Sequence, residues 1–213
     1  MKVLAVSGQK GGIAKTTSAL YLATRFAETL AGTGERPVIA LIDRDNSRNL
    51  TRLIETMPDL LRPGVDLLPS EFVPPAGTSY QIAIIDTPPG LDAINSLKEA
   101  NLIVVPVTPE TQGILNLVDH LENIRIQQII VNPAMRLLAL LPTRVMAHVK
   151  AHQQRLEDIR AIAAARRPPL LVLPPIPERM RIQRYELDAP DYDRPAKELL
   201  THAQILDSTS ARA

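Results

Sequence analysis

A glycine-rich segment near the start of the chain has the residue types that bind phosphate groups. Residues 9–17 read Gln-Lys-Gly-Gly-Ile-Ala-Lys-Thr-Thr. Gly11 and Gly12 permit a tight turn in which successive backbone N–H groups point inward, toward an anion. Lys15 adds a positive charge within reach of the terminal phosphates, and the Thr16 hydroxyl is a suitable ligand for Mg²⁺. The segment therefore predicts a binding loop for a nucleoside triphosphate and its magnesium ion.

Three further residues belong to the predicted loop. Thr17 can donate to the α-phosphate, and Ile13 and Ala14 contribute N–H groups to the same run. The general motif GxxxxGK[ST] has glycine where this chain has Gln9 and Ala14. Because Ala14 carries a Cβ, we expect it to adopt an ordinary negative φ at the start of a helix. The alternative is a glycine-rich turn between a strand and a helix that binds no nucleotide.

Carboxylates follow two short apolar runs. Asp43 and Asp45 come after residues 38–42, and Asp86 comes after residues 82–85. A carboxylate at the end of a buried strand is suited to hold a water molecule bound to Mg²⁺, which is the role we expect for Asp86. The alternative for each aspartate is a turn at the end of a strand.

These residues are positioned by apolar runs that alternate with amphipathic segments. The predicted strands are residues 3–6, 38–42, 82–85, 102–107, 137–141 and 170–173. The predicted helices are one that begins near Lys15, residues 111–128, about 20 residues from Val145, and residues 195–206. The alternation predicts an α/β fold with a single doubly wound, mostly parallel sheet and helices on both faces. Ligands bind outside the carboxyl ends of such strands, where the polar residues gather.

Helical spacing predicts which side chains are buried. The first helix should bury one face and end near Gly32 and Gly34; that face is Ala19, Leu22, Ala23, Phe26, Ala27 and Leu30. The helix over residues 111–128 should place five apolar residues on one side: Ile114, Leu117, Val118, Leu121 and Ile124.

Length and composition limit the class of protein. The 213 residues predict one domain over residues 1–206, a frayed tail at 207–213 and a surface loop at 69–80. The absence of cysteine excludes disulfides, thiolate zinc sites and iron–sulfur clusters. No signal peptide and no apolar stretch of about 20 residues is present, so we expect a cytoplasmic protein without membrane contact.

The ordered motifs resemble those of the ParA/MinD family of P-loop ATPases. Residues 10–17 resemble the deviant Walker A motif KGGxGKT[ST], whose signature lysine matches Lys10. Asp43-Arg44-Asp45 resembles the DxD switch motif, residues 84–89 resemble Walker B, and residues 100–110 resemble the strand and turn that follow it. The resemblance covers residues 2–118 and is closest to small ParA-type partition ATPases.

The resemblance implies roles for individual residues. Lys10 would cross the interface of an ATP-bound homodimer to the partner's nucleotide, and Asp45 would orient the attacking water. Asp43 would belong to the nucleotide site. The implied cofactors are ATP and Mg²⁺, and the implied activity is slow ATP hydrolysis stimulated by a centromere-binding ParB- or ParG-like protein. The ATP dimer would bind double-stranded DNA without sequence specificity and associate with the nucleoid.

Two departures concern the rate of hydrolysis more than nucleotide binding. Many ParA proteins continue the switch motif with proline and glutamine, whereas this chain has Asn46-Ser47. Ala14 is the other departure.

The later part of the chain predicts an adenine site and a DNA-binding surface. The adenine slot is assigned by position alone to two segments, Pro142-Thr143-Arg144 and Pro175-Ile176-Pro177, and ordinary turns are the alternative. Residues 136–184 contain ten basic and three acidic residues, a charge of +7 that leaves −6 for the rest of the chain. We expect DNA to contact Arg166, Arg167, Arg181 and Arg184; a solvated basic face is the alternative.

Two other functions stay open. A MinD-like or other cargo-positioning ATPase is one, although residues 201–213 lack a basic amphipathic helix for membranes. A metabolic enzyme similar to dethiobiotin synthetase, which activates a small carboxylate with ATP, is the other. Lys10 argues against the second, because such enzymes generally lack the signature lysine. A reductase similar to the nitrogenase iron protein is excluded by the absence of cysteine.

Overall fold

Seven parallel strands form one sheet in the computed structural model, which describes residues 1–31, 39–72 and 78–203, except the side chains at 91, 94 and 95. The strands are β1 (Lys2–Val6), β2 (Ile39–Asp43), β3 (Val65–Leu68), β4 (Ile82–Asp86), β5 (Leu102–Val107), β6 (Arg136–Pro142) and β7 (Leu171–Val172). Their order across the sheet is β3-β2-β4-β1-β5-β6-β7. The predicted parallel α/β sheet is confirmed.

Helices connect the strands. They are α1 (Lys15–Ala31), α2 (Asn49–Thr56), α3 (Ile94–Leu97), α4 (Thr111–Ile130), α5 (Lys150–Ala164), α6 (Met180–Gln183) and α7 (Asp193–His202). Short 3₁₀ turns cover Pro58–Leu60, Gly90–Ala93 and Pro190–Tyr192. In the described part of the chain, no helix is both long enough and apolar enough to cross a bilayer.

The helices cover both faces of the sheet, as a doubly wound fold requires. Apolar residues of α1, α2 and α7 join one core cluster on the first face. Residues of α4 and α5 pack on the opposite face, against β5 and β6. Both clusters are needed because the central strands are buried on their two sides.

Helix α1 is buried more completely than its predicted single face. All six predicted core residues are buried, but so are Leu20 and Tyr21, which were not part of that face. Tyr21 stacks on Tyr192 with ring centroids 4.7 Å apart. The segment before α7 therefore covers the side of α1 that we expected to face water. The predicted end of the helix near Gly32 and Gly34 lies outside the described residues.

Four of the described strands and helices were not predicted from the sequence: β3, α2, α3 and α6. Strand β3 lies at the edge of the sheet and fully buries only Val65, so its sequence lacks a continuous apolar run. Helix α2 has eight residues and buries only Leu50 and Ile54. Short edge elements leave a weak hydrophobic pattern because few of their side chains enter the core.

Several predicted boundaries were wrong. Helix α5 begins at Lys150 instead of Val145, because Val145 forms a parallel bridge with Pro177. Helix α7 begins at Asp193, so Pro195 lies at its third position.

One predicted core residue of α4 is not buried. Val118 is 44% exposed, although we expected it to face the core with its neighbours on α4.

Some predictions fall on residues that are not described. The tail at 207–213, the last residues of the predicted domain at 204–206, and residues 73–77 of the predicted loop at 69–80 lie outside the described ranges.

Candidate nucleotide-binding site

The phosphate-binding loop lies at the centre of the carboxyl edge of the sheet. It joins β1 to α1, and β1 is flanked by β4 on one side and β5 on the other. The chain leaves β1 toward the face covered by α1 and leaves β4 and β5 toward the opposite face, where α3 and α4 pack, so a crevice opens above the end of β1. Lys15 is the first residue of α1, which places the loop at the positive end of a 17-residue helix.

The backbone of the loop turns through two residues with positive φ. Gly12 has φ +79°, a value that glycine adopts without strain. Ala14 has φ +67°, so the expected negative φ at this position was wrong. The loop curvature requires a left-handed residue there, and the Cβ of alanine makes that conformation less favourable by about 1–2 kcal/mol. Backbone strain of this kind is concentrated at functional sites.

Lys15 is held inside the loop. Its side chain is buried, and its Nζ donates a hydrogen bond to the Lys10 carbonyl oxygen at 3.0 Å. Burial lowers the pKa of Lys15, while the carboxylates of Asp86 and Asp45 oppose that shift. The ammonium group is therefore held by a backbone carbonyl of the loop, within the electrostatic influence of two carboxylates.

Asp86 is a buried carboxylate with unsatisfied acceptors. It is completely buried at the end of β4, paired in register with Val6 of β1. Burial raises the pKa of Asp86 to about 7, and the nearby Thr16 hydroxyl favours the charged form. Neither carboxylate oxygen makes a hydrogen bond within the described residues. Such orphaned oxygens fit a hydrated Mg²⁺, which Thr16 and Asp86 would hold, the latter through water.

The two aspartates of the switch motif have different surroundings. Asp43 is buried and accepts hydrogen bonds from the Asp45 N–H at 3.1 Å and from the N–H and hydroxyl of Thr51 at 2.8 and 2.9 Å. Asp45 lines the crevice, and its Oδ1 accepts from the N–H and hydroxyl of Ser47. Asp43 therefore stabilises the loop, whereas Asp45 faces the space where a substrate would lie.

A cavity of about 720 Å³ extends from the loop, a volume that suits a nucleotide. The predicted residues Gly11, Gly12, Ala14, Lys15, Thr16, Thr17, Asp45, Thr143 and Arg144 line it. Ile13 does not line it, but its carbonyl accepts a hydrogen bond from Thr143 Oγ1 at 3.2 Å. Arg144 donates to the Gly12 carbonyl at 3.3 Å. These bonds join the end of β6 to the phosphate loop.

Two residues assigned to the adenine slot lie elsewhere. Pro142 is the buried last residue of β6, and Pro175 is exposed; neither lines the cavity. The other two predicted residues of the second segment, Ile176 and Pro177, do form part of the wall. Other lining residues had no signal in the sequence: Asn49, Arg52, Leu53, Thr56, Glu178, Arg179, Ile182, Gln183, Tyr185 and Tyr192. Four of these lie on α2, an element that was not predicted.

The four arginines expected to contact DNA lie in two pairs, at opposite ends of strand β7. Arg166 and Arg167 precede β7 and therefore lie at its amino end, whereas Arg181 and Arg184 follow β7 on the carboxyl side. Arg181 forms an ion pair with Asp191 at 3.2 Å. Arg184 is exposed and forms no ion pair among the described residues. The basic segment is thus divided between two surfaces.

Comparisons with known proteins agree with this geometry. A family model described as the CobQ/CobB/MinD/ParA nucleotide-binding domain matches residues 4–189. The chromosome-partitioning ATPase Soj of Thermus thermophilus is 30% identical, over 74% of this chain and 75% of Soj. The structure of cobyrinic acid a,c-diamide synthase from Mycobacterium smegmatis, with bound ADP and magnesium, is 26% identical and covers 96% of both chains with a TM-score of 0.74. The ATP complex of a Cyanothece McdA variant shares the fold, with 19% identity, a TM-score of 0.77 and coverage of 96% and 97%.

Proposed function

Because this chain belongs to the CobQ/CobB/MinD/ParA family of nucleotide-binding domains, we propose that it is a ParA-type partition ATPase. In this proposal, ATP drives formation of a homodimer that binds DNA without sequence specificity. Hydrolysis, stimulated by a centromere-binding partner protein, then releases the DNA and moves a plasmid or chromosome. We place the protein in the cytoplasm, on the nucleoid when ATP is bound.

The position of Lys10 carries the proposal. Its side chain is exposed, and its ammonium group makes no hydrogen bond or ion pair within the described residues. Lys10 does not line the cavity of its own loop, where Lys15 already supplies a cation. A lysine so placed can reach the phosphates of a second subunit, where it would offset the repulsion between two facing triphosphates. Dimerisation would then depend on the γ-phosphate, which makes it a switch.

The other residues divide the work of hydrolysis. Lys15 and the N–H groups of the loop bind the phosphates, and Mg²⁺ supplies charge neutralisation when it is bound to Thr16 and, through water, to Asp86. Asp45 faces the cavity and orients the attacking water. One of its oxygens accepts two hydrogen bonds from Ser47. Ser47 and the attacking water would therefore compete for the same Asp45 oxygen. Such competition fits slow turnover, which a long-lived DNA-bound state requires.

A metabolic ATP-dependent enzyme is the second candidate. The 26% identity to a cobyrinic acid a,c-diamide synthase favours it, since the match covers nearly the whole of both chains. An enzyme that activates a small carboxylate has no need of a lysine that reaches a second nucleotide. The two candidates therefore differ in what the loss of Lys10 should do.

Variants of the two loop lysines test the proposal. ATP affinity is measured with a fluorescent ATP analogue, and mass in solution is measured by light scattering with ATP–Mg²⁺ or ADP. Lys15→Ala should weaken ATP binding about 100-fold, because a charge-assisted contact is lost in a buried site. Lys10→Ala should bind ATP normally but remain a monomer. Lys197→Ala, at an exposed position of α7, is the control.

The results separate the candidates. A normal ATP dimer of Lys10→Ala would contradict the proposed role of the signature lysine and favour the metabolic enzyme. Wild-type ATP affinity in Lys15→Ala would contradict nucleotide binding by this loop.

A further inference from the structure

A buried histidine on α4 contacts the residue that precedes the phosphate-binding loop. His120 is 4% exposed and Ser7 is completely buried. The Nε2 atom of His120 lies 3.2 Å from the Ser7 hydroxyl oxygen. Ser7 follows directly after β1, and His120 lies near the middle of the 20-residue α4. The contact therefore ties a long helix to the point where the loop begins.

The space around this contact is nearly filled. Only a small cavity of about 20 Å³ is left where the loop packs against α4 and the end of β5. A Cβ added to Gly8 would lie 2.1 Å from Ile13 Cδ1, and a Cβ added to Gly113 would lie 2.3 Å from the Thr108 carbonyl oxygen. Close packing therefore requires glycine at position 113, where the obstacle is backbone, whereas at Gly8 the obstacle is the end of the Ile13 side chain, which can move. The underside of the loop rests on α4 with little freedom to shift.

The imidazole is neutral in this environment. Burial lowers the pKa of His120 to about 4, and the Lys15 ammonium acts in the same direction. A neutral ring has one nitrogen that accepts and one that donates, so it can satisfy the Ser7 hydroxyl without adding a second buried cation beside Lys15.

We propose that His120 is a positioning residue for the phosphate-binding loop. By holding the Ser7 hydroxyl it fixes the direction in which β1 delivers residues 8–14 to the phosphates. His120 lies behind the loop and does not line the nucleotide cavity, so it acts through Ser7 and not on the nucleotide. The inference rests on the proposed nucleotide binding and adds a residue to it.

A set of four variants tests this role: His120→Leu, His120→Gln, Ser7→Ala and the double variant of Ser7→Ala with His120→Leu. ATP–Mg²⁺ affinity is measured by calorimetry on protein shown to be folded by circular dichroism. His120→Leu should bind ATP about 10-fold more weakly, because one buried hydrogen bond to the loop is lost. His120→Gln retains a polar group directed toward Ser7 and should stay within about threefold of the wild type. The double variant should bind no more weakly than the weaker single variant, because both changes remove the same contact.

His152→Leu is the matched control. His152 is also buried on a helix, where its Nδ1 accepts a hydrogen bond from the Met146 N–H at 3.1 Å, away from the loop. It should lose stability and keep its ATP affinity.

The outcomes are distinct. Unchanged affinity in a folded His120→Leu, an equal loss in His152→Leu, or additive losses in the double variant would each overturn the positioning role. If His120→Leu fails to fold, His120→Gln and Ser7→Ala decide: the role requires near-normal affinity in the first and weakened affinity in the second. Wild-type protein that binds no ATP would overturn the proposed function itself.

Discussion

Ala14 occupies a backbone conformation that favours glycine, and this has a measurable consequence. Its φ of +67° is unfavourable for alanine by about 1–2 kcal/mol. Against this, ordering the more flexible glycine backbone on folding costs roughly 0.5–1 kcal/mol more than ordering alanine. Ala14→Gly should therefore raise the free energy of unfolding by about 0.5–1 kcal/mol. Urea unfolding of the nucleotide-free protein measures this change.

An exposed alanine with ordinary helical geometry provides the comparison. Ala161 lies inside α5, where the same replacement should lower the free energy of unfolding by up to about 1 kcal/mol. If Ala14→Gly destabilised the protein as Ala161→Gly does, the strain assigned to the loop would be absent.

His120 predicts a loss of stability in weak acid. Its pKa is about 4 in the folded protein and near 6.5 in the unfolded chain, so only the unfolded chain takes up a proton between these values. The stability it contributes is complete above pH 6.5 and is lost as the pH falls toward 4. Between pH 7 and pH 5 the wild type should lose about 2 kcal/mol more than His120→Gln. Urea unfolding at each pH measures the difference.

An exposed histidine controls for general acid effects. His148→Gln should follow the wild-type pH dependence, because its ring is exposed. Parallel curves for the wild type and His120→Gln would contradict the buried neutral imidazole.

At the scale of elements, α2 depends on a carboxylate from another element. Its N-cap residue Arg48 has φ +52° and forms no side-chain capping bond. Asp43, at the end of β2, instead accepts the Thr51 N–H in the first turn of α2. A carboxylate at this end also interacts favourably with the helix dipole. The end of β2 thereby fixes the helix that forms one wall of the nucleotide cavity.

Removing this carboxylate should loosen α2. Asp43→Ala should lower the free energy of unfolding by roughly 2 kcal/mol, because three part-buried hydrogen bonds are lost, and should speed hydrogen exchange of the α2 amides. Asn49→Ala replaces a neighbouring exposed polar residue without a capping bond and should stay within about 0.5 kcal/mol of the wild type. Equal stability of Asp43→Ala and Asn49→Ala would show that Asp43 does not cap α2.

These elements also show what the sequence predicts and what it does not. The central strands and α1 could be predicted because almost every residue enters the core, which leaves continuous or periodic apolar patterns. Helix α2 could not, because two buried residues make no clear period and its cap comes from Asp43, six residues before it. The left-handed φ of Ala14 could not be predicted either, because the path of the loop sets this angle against the usual preference of alanine. Of the two segments predicted for the adenine slot, Thr143, Arg144, Ile176 and Pro177 line the cavity, whereas the first proline of each segment does not.

At the scale of the whole molecule, basic residues lie at both ends of the strands, and only one of these ends carries the phosphate loop. Lys10 and the phosphate loop lie at the carboxyl edge, so an ATP dimer joined there would bring Arg181 and Arg184 near the junction of the two subunits. Arg166 and Arg167, at the amino end of β7, would lie far from that junction. In the proposed DNA-bound dimer, contacts made by the two pairs would therefore be separable by mutation.

The last prediction concerns the salt dependence of DNA binding with ATP–Mg²⁺. Replacing Arg166 and Arg167 by alanine removes two charges per subunit, so the slope of log K against log[salt] should become shallower by up to about 3.6 for a dimer. The corresponding change at Arg181 and Arg184 should be about half as large, because Arg181 already neutralises Asp191. Binding to random-sequence duplex DNA over a range of salt concentrations measures both slopes.

Arg125 and Arg194, each paired with a glutamate on its own helix, form a control pair that removes the same number of charges. An equal effect of the control pair would assign the salt dependence to net charge, and unchanged slopes in both test pairs would leave the basic segment a solvated surface.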